Sequence, residues 1–179
     1  AKPRYGRAML PIHDVLQTLK AALEVGNTAV LAAPPGAGKT TVVPLALLDA
    51  GWLDEGKILV LEPRRIAARA AADRMADMLG QQPGATVGYR TRLQSRIGPE
   101  TRIEVITEGV FTRMILDDPG LDGVGAVLFD EFHERSLDAD LGLALARESQ
   151  GLLRPDLRVL VMSATLDTTG VSRLLPDAV

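Results

Sequence analysis

Two short stretches carry side chains whose types and spacing suit phosphate chemistry. Ala33-Pro34-Pro35-Gly36-Ala37-Gly38-Lys39-Thr40 follows an apolar run and matches the phosphate-binding spacing GxxxxGK[ST], with Ala33 in place of the first glycine. Gly36 and Gly38 let backbone N–H groups close on an anion where a Cβ would block the approach, so the segment Pro35 to Gly38 would form a cradle at a helix N-terminus. Lys39 would then place a point charge on the β- and γ-phosphates, the Thr40 hydroxyl would ligate Mg2+, and Thr41 would bond an inner phosphate. The competing explanation is a Pro/Gly connection that happens to end in Lys-Thr.

The second stretch is an apolar run, Ala126 to Phe129, that ends abruptly in Asp130-Glu131. Burial accounts for the first half only. Asp130 would hold the metal, largely through water, and Glu131 would polarise an attacking water as general base. A solvated acidic turn opening the next helix is the alternative, because acids favour a helix N-terminus. Two further segments also follow apolar runs. Arg64 and Arg65 (Pro63-Arg64-Arg65) would clamp phosphates of a nucleic-acid backbone, or else are ordinary surface arginines. Ser163-Ala164-Thr165 supplies two hydroxyls, or simply a turn. His133 has no metal-ligand spacing with His13, the only other histidine. A GxSxG nucleophile pattern and a Cys/His pair are both missing from the sequence.

These residues need elements to hold them. Helical periodicity runs from Pro11 to Val25, over about 39–50, from Arg64 to Leu79, over about 109–116 and around 137–148. Short apolar runs predict strands over 28–33, 57–61, 86–89, 102–107, 125–129 and 158–162. Strand and helix alternate, which argues for an α/β domain with a mostly parallel sheet and helices on both faces. Ligands of such sheets bind beyond the carboxyl ends of the strands, and every candidate above sits just after a strand.

Composition narrows the field further. The 179 residues suit one domain, and 46% hydrophobic with 24% charged residues excludes disorder and fibre. The absence of cysteine excludes disulfides and thiolate metal sites and fits a reducing cytoplasm. No apolar run approaches the roughly 18 residues that span a bilayer, so no membrane association is expected. The net charge of −3 conceals two patches. Eight arginines face three acids between Arg64 and Arg102, a candidate polyanion footprint. Eight acids face Arg135 alone between Asp117 and Asp140, which suits a cation site or a solvated face. The few scattered aromatics argue against a base-stacking platform.

Taken together, APPGAGKTT, EPRRIAARAAADRMA, TEGVFTRMI, DEFHERS and SAT occur in the order and spacing of motifs I, Ia, Ib, II and III of superfamily 2 helicases. DEFHERS, PRR and VGYRTR resemble the DEAH-box enzymes in particular. The resemblance implies a RecA-like fold, ATP and Mg2+ as ligands, and single-stranded nucleic acid, with RNA favoured, as partner. It implies phosphate and Mg2+ binding by Lys39 and Thr40, metal and water handling by Asp130 and Glu131, and coupling to a partner domain through His133, Ser163 and Thr165. Arg64, Arg65, Thr107 and Gly109 fall where such enzymes touch the nucleic-acid backbone, and Arg74 where an arginine stacks on adenine. Two positions depart from the pattern: Ala33 for glycine and Phe132 for the alanine of DEAH. No QRxGRAGR-like stretch with arginine fingers occurs, so the expectation is the first RecA-like half of a two-domain motor, either an excised piece or a truncated product. Such a half would turn over ATP very slowly, since an arginine finger is worth about 10³ to 10⁵ in rate. A self-sufficient kinase acting on a small molecule and a non-catalytic nucleotide- and RNA-binding module are the other two readings.

Overall fold

The computed structural model describes residues 11–35, 38–165, 175, 177 and 178. Seven strands, β1 (Thr28–Ala32), β2 (Lys57–Glu62), β3 (Val87–Arg90), β4 (Ser95–Arg96), β5 (Ile103–Thr107), β6 (Val124–Phe129) and β7 (Arg158–Ser163), form one sheet in the order β1-β7-β6-β2-β5-β3-β4. All neighbouring pairs are parallel except β3 with β4. Five helices join them: α1 (Leu16–Val25), α2 (Lys39–Leu47), α3 (Arg65–Met78), α4 (Glu108–Asp117) and α5 (Leu137–Leu152).

The continuous apolar runs form strands because both faces of the sheet are covered. Alternate residues of one strand enter different cores. Ile58 and Val60 pack with Leu19 and Leu23 of α1, Val42 and Val43 of α2, and Ala68, Ala72 and Met75 of α3. Leu59 and Leu61 point the other way, among Phe111 and Ile115 of α4 and Leu143 and Ala146 of α5. Each such fully buried side chain contributes roughly 1.5 to 3 kcal/mol. The buried positions of α3, Ala68, Ala71, Ala72, Met75 and Ala76, recur at helical spacing, and their small size lets the helix lie close to the sheet. Among the described residues no helix is long and apolar enough to cross a membrane.

Several boundaries differ from the sequence reading. The segment after Pro11 is a 3-10 turn to Asp14, and α1 begins only at Leu16. Helix α2 stops at Leu47, α5 runs on to Leu152, and β3 is displaced to Val87–Arg90. The two-residue strand β4 is exposed on the sheet edge and carries no periodicity that a sequence would reveal. Another 3-10 turn, Phe132–Glu134, follows the acidic strand end.

Strand register aligns the carboxyl ends. Thr107 pairs with Glu62, Leu61 with Phe129, Phe129 with Val161, and Ser163 with Ala32. Thr107, Glu62, Asp130, Met162 and Leu31 therefore lie in one row across five strands, which at about 4.8 Å per strand spans roughly 19 Å, with Ser163 one residue and Ala33 two residues beyond it.

Candidate nucleotide and nucleic-acid site

The loop after β1 turns into α2 through Gly38, whose φ of 91° lies in the left-handed region that favours glycine. Ala33 has no such requirement: its φ is not positive, it is buried, and its N–H donates to the Ser163 carbonyl at 3.0 Å. A methyl in place of the usual glycine hydrogen is accommodated. Gly36 and Ala37 lie outside the described residues.

Lys39 and Thr40 open α2 and face the end of β6. The Lys39 ammonium is only 3% exposed, with Nζ 3.9 Å from Glu131 Oε1. Thr40 Oγ1 donates to Asp130 Oδ2 at 2.6 Å. Asp130 is buried and continues the strand ladder through its N–H to the Leu61 carbonyl at 3.0 Å, while its Oδ1 accepts the Glu131 N–H at 2.9 Å. Glu131 takes a left-handed conformation, φ 54°, ψ 33°, which is strained for a side chain with a Cβ. The kink aims its carboxylate back over the phosphate loop. A cavity of about 240 Å3 results, lined by Pro35, Lys39, Thr40, Thr41, Arg74 and Glu131.

His133 links this cavity to β7. Its Nδ1 accepts the Ala164 N–H at 3.0 Å, which leaves Nε2 to carry the proton of the neutral ring, 3.2 Å from Glu131 Oε2. Ser163 Oγ donates to the Thr165 carbonyl at 2.6 Å and accepts the Thr165 N–H at 3.3 Å, so the two hydroxyl residues form one closed turn beside His133. Phe132 is buried, with its ring edge-on to Phe129 at 6.4 Å, and Phe129 is edge-on to Phe111 at 5.9 Å. All three phenylalanines of the chain thus brace the acidic turn from below. The phenylalanine that departs from the DEAH pattern is a core residue.

The basic candidates form a separate rim. Arg64 makes a bidentate pair with Glu134, 3.1 and 2.8 Å, and Arg65 opens α3 beside a cavity of about 220 Å3 that it lines with Arg69. Thr107 and Gly109 line a larger cavity of about 680 Å3 with Arg90, Arg92 and Arg113. Lys39, Thr40, Thr41, Arg74 and Glu131 therefore share one cavity, Asp130, His133 and Ser163 back it, and Arg64, Arg65, Thr107 and Gly109 lie along the same sheet edge outside it.

Four residues with clear contacts escaped the sequence reading. Glu62, the last residue of β2, is 2% exposed, its Oε1 has no hydrogen-bond partner, and burial pushes its carboxyl up to about 10. Its hydrogen bond to Asp130 and the negative charges of Asp130 and Glu131 add to the rise, and Arg64 opposes it. The signal was present in the sequence: a carboxylate closing the otherwise apolar KILVL run, as Asp130 closes its own. Ser136 caps α5 by accepting the Ala139 N–H at 2.9 Å and donates to Glu108 Oε2 at 2.6 Å. Burial raises the Glu108 carboxyl, against the Ser136 hydrogen bond and with help from Asp138, Glu134 and Asp140. Glu134 completes the set through Arg64.

A parallel sheet with its phosphate loop after an edge strand, facing an acid-tipped strand two places along, defines a RecA-like nucleotide-binding domain. The chain belongs to the DEAD/DEAH box helicase family, whose model matches residues 14–174. It is 55% identical to the ATP-dependent RNA helicase HrpB of Escherichia coli over 94% of this chain and 21% of that protein. It is 35% identical to the ATP-dependent RNA helicase HrpA of Borreliella burgdorferi, over 94% of this chain and 20% of that one. Among solved structures, the crystal structure of the E. coli DExH-box NTPase HrpB superposes with a TM-score of 0.93 at 53% identity, covering 97% of this chain and 21% of the other. A crystal structure of the E. coli DEAH/RHA helicase HrpB gives 0.90 at 55% identity. The chain thus spans about one fifth of the length of the relatives it matches.

Proposed function

We propose that this chain is the ATP-binding half of an RNA-dependent helicase motor, a single RecA-like domain that hydrolyses ATP to ADP and phosphate when a second RecA-like domain closes on it in the cytoplasm. The observation that carries the reading is the convergence of Thr40 Oγ1 and Asp130 Oδ2 at 2.6 Å beside the Lys39–Glu131 pair. A hydroxyl and a carboxylate oxygen at one point are the hard donors that would hold Mg2+. When bound, the ion neutralises charge on the phosphates.

The chain's own groups do the rest. Lys39 holds the terminal phosphates. Glu131 takes a proton from the water that attacks the γ-phosphorus, and in the RNA-free chain His133 Nε2 lies against the Glu131 carboxylate. Arg74 lines the cavity wall, and its guanidinium would stack on the base. Ser163 and Thr165 carry the occupancy of the site through His133 toward the second domain. Arg64, Arg65, Thr107 and Gly109 grip the sugar–phosphate backbone of single-stranded RNA, contacts that position without reading sequence. The preference for RNA rests on the two relatives, both named RNA helicases. Family membership favours this motor over a small-molecule kinase.

The test is ATP turnover with and without single-stranded RNA, with Glu131→Gln as the blank and a fluorescent-nucleotide titration for binding. Nucleotide binding that Lys39→Ala weakens at least tenfold, with turnover by the chain alone near the blank, is the expected result. Turnover stimulated many-fold by RNA in the chain alone would refute the need for a second domain.

A further inference from the structure

The acidic turn touches both halves of the site within four residues. Glu131 and His133 face the nucleotide cavity, while Glu134 holds Arg64 on the nucleic-acid rim. Glu131, His133 and Glu134 each present one side-chain donor atom within 4.8 Å of the other two. The carboxylate that occupies Arg64 is therefore next to the carboxylate proposed as general base.

His133 can serve only one of them. With Nδ1 committed to the Ala164 N–H, the neutral ring has a single proton, on Nε2, and that nitrogen lies 3.2 Å from Glu131 Oε2. Glu134 competes poorly, because its two oxygens accept from the two terminal nitrogens of Arg64 and the guanidinium charge weakens the carboxylate as an acceptor for the imidazole. That pair is open to exchange: the Arg64 side chain is 66% exposed and the Glu134 side chain 33%, and such pairs are held weakly in water. A phosphodiester offers guanidinium the same bidentate geometry.

We propose that Glu134 is a positioning residue that holds Arg64 until a backbone phosphate takes its place, and that the carboxylate so released draws the His133 Nε2–H away from Glu131. Nucleic-acid binding would then free the Glu131 carboxylate to face water. The inference rests on the nucleic-acid reading above and adds the route from the backbone to the base. It assigns no new ligand. It assigns a partner exchange: Arg64 moves from carboxylate to phosphate, and His133 moves from Glu131 to Glu134.

The full chain is titrated with fluorescein-labelled oligouridylate by anisotropy, and the ring nitrogens of His133 are followed by 15N NMR. With only two histidines in the sequence, His13→Gln assigns the signals. Glu134→Gln keeps the shape and removes the charge, so it is expected to bind RNA about 2- to 5-fold more tightly than the parent. That gain should vanish in the Arg64→Ala background. RNA should shift the His133 Nε2 resonance in the parent and leave it unmoved in Glu134→Gln. Equal affinity of the parent and Glu134→Gln, a gain that survives Arg64→Ala, or a His133 signal indifferent to RNA overturns the exchange while leaving the RNA reading intact. A parent chain that binds nucleotide but no oligouridylate overturns the RNA reading itself, and the exchange with it.

Discussion

Glu62→Gln should make this protein more stable, and the gain should grow with pH. The Glu62 carboxyl is buried against Asp130 and Glu131 and is held near 10, far above its ordinary 4.5. In the unfolded chain it titrates normally. Below about pH 4 both states hold the proton and nothing is lost. Between the two values the folded state keeps a proton that the unfolded state releases, so stability falls as pH rises. The size of the loss at pH 7 does not depend on where above 7 the folded value lies. It is set by the distance from 4.5 to 7, which at 1.36 kcal/mol per unit is roughly 3 kcal/mol. Glutamine is isosteric with the protonated acid and can still donate to Asp130, so the variant escapes the penalty while keeping the contact. Urea unfolding of parent and variant in a chelator, at pH 4, 5.5 and 7, reads the difference directly. In melting temperature the gap at pH 7 should be roughly 6 to 12 °C for a domain of this size. Parallel stability curves for the two proteins across that range would refute the reasoning, and would mean that the carboxyl ionises in the folded state.

Two further substitutions test the supports of the site. Phe132→Ala, which restores the alanine of the DEAH pattern, removes a buried ring from beneath the acidic turn and should cost roughly 3 to 5 kcal/mol in urea unfolding; a cost under about 1 kcal/mol would show that the aromatic trio is not a brace. Ser136→Ala removes the cap on α5 and the hydroxyl that donates to Glu108, and should cost about 1 kcal/mol at neutral pH. Because that hydroxyl lowers the Glu108 carboxyl, the same change should raise its titration midpoint further, readable by side-chain 13C NMR.

The phosphate loop, the acidic strand end and the strand–helix alternation were legible because each has a local signature. Short apolar runs bounded by turn residues are typical of strands buried on both faces, and the structure places them in such a sheet. What was illegible depends on neighbours distant in the chain. Strand β4 exists only because Tyr89 and Arg90 offer it an edge. Glu62 visibly closes an apolar run, but what raises its carboxyl is set only when register brings it beside Asp130, and Glu134 reads as one more charge in an acidic stretch until Arg64, seventy residues earlier, reaches it. The aromatic residues read as scattered along the sequence, and the edge-on packing of Phe111, Phe129 and Phe132 under the turn exists only in the fold.

Strand β7 is the last strand among the described residues, yet it lies between β1 and β6. Among the described residues the phosphate-loop strand is an edge strand whose only strand partner is β7. A growing chain that has reached Leu157 already contains the loop and the acidic turn but has no sheet position that joins them. Residues 158–163 close the gap as an inserted wedge, with β1 on one side and β6 on the other. The nucleotide cavity therefore cannot close before residues 158–163 are in place, and until then the facing edges of β1 and β6 stand unpaired. Nucleotide retention accordingly reports completion of the fold as well as its chemistry.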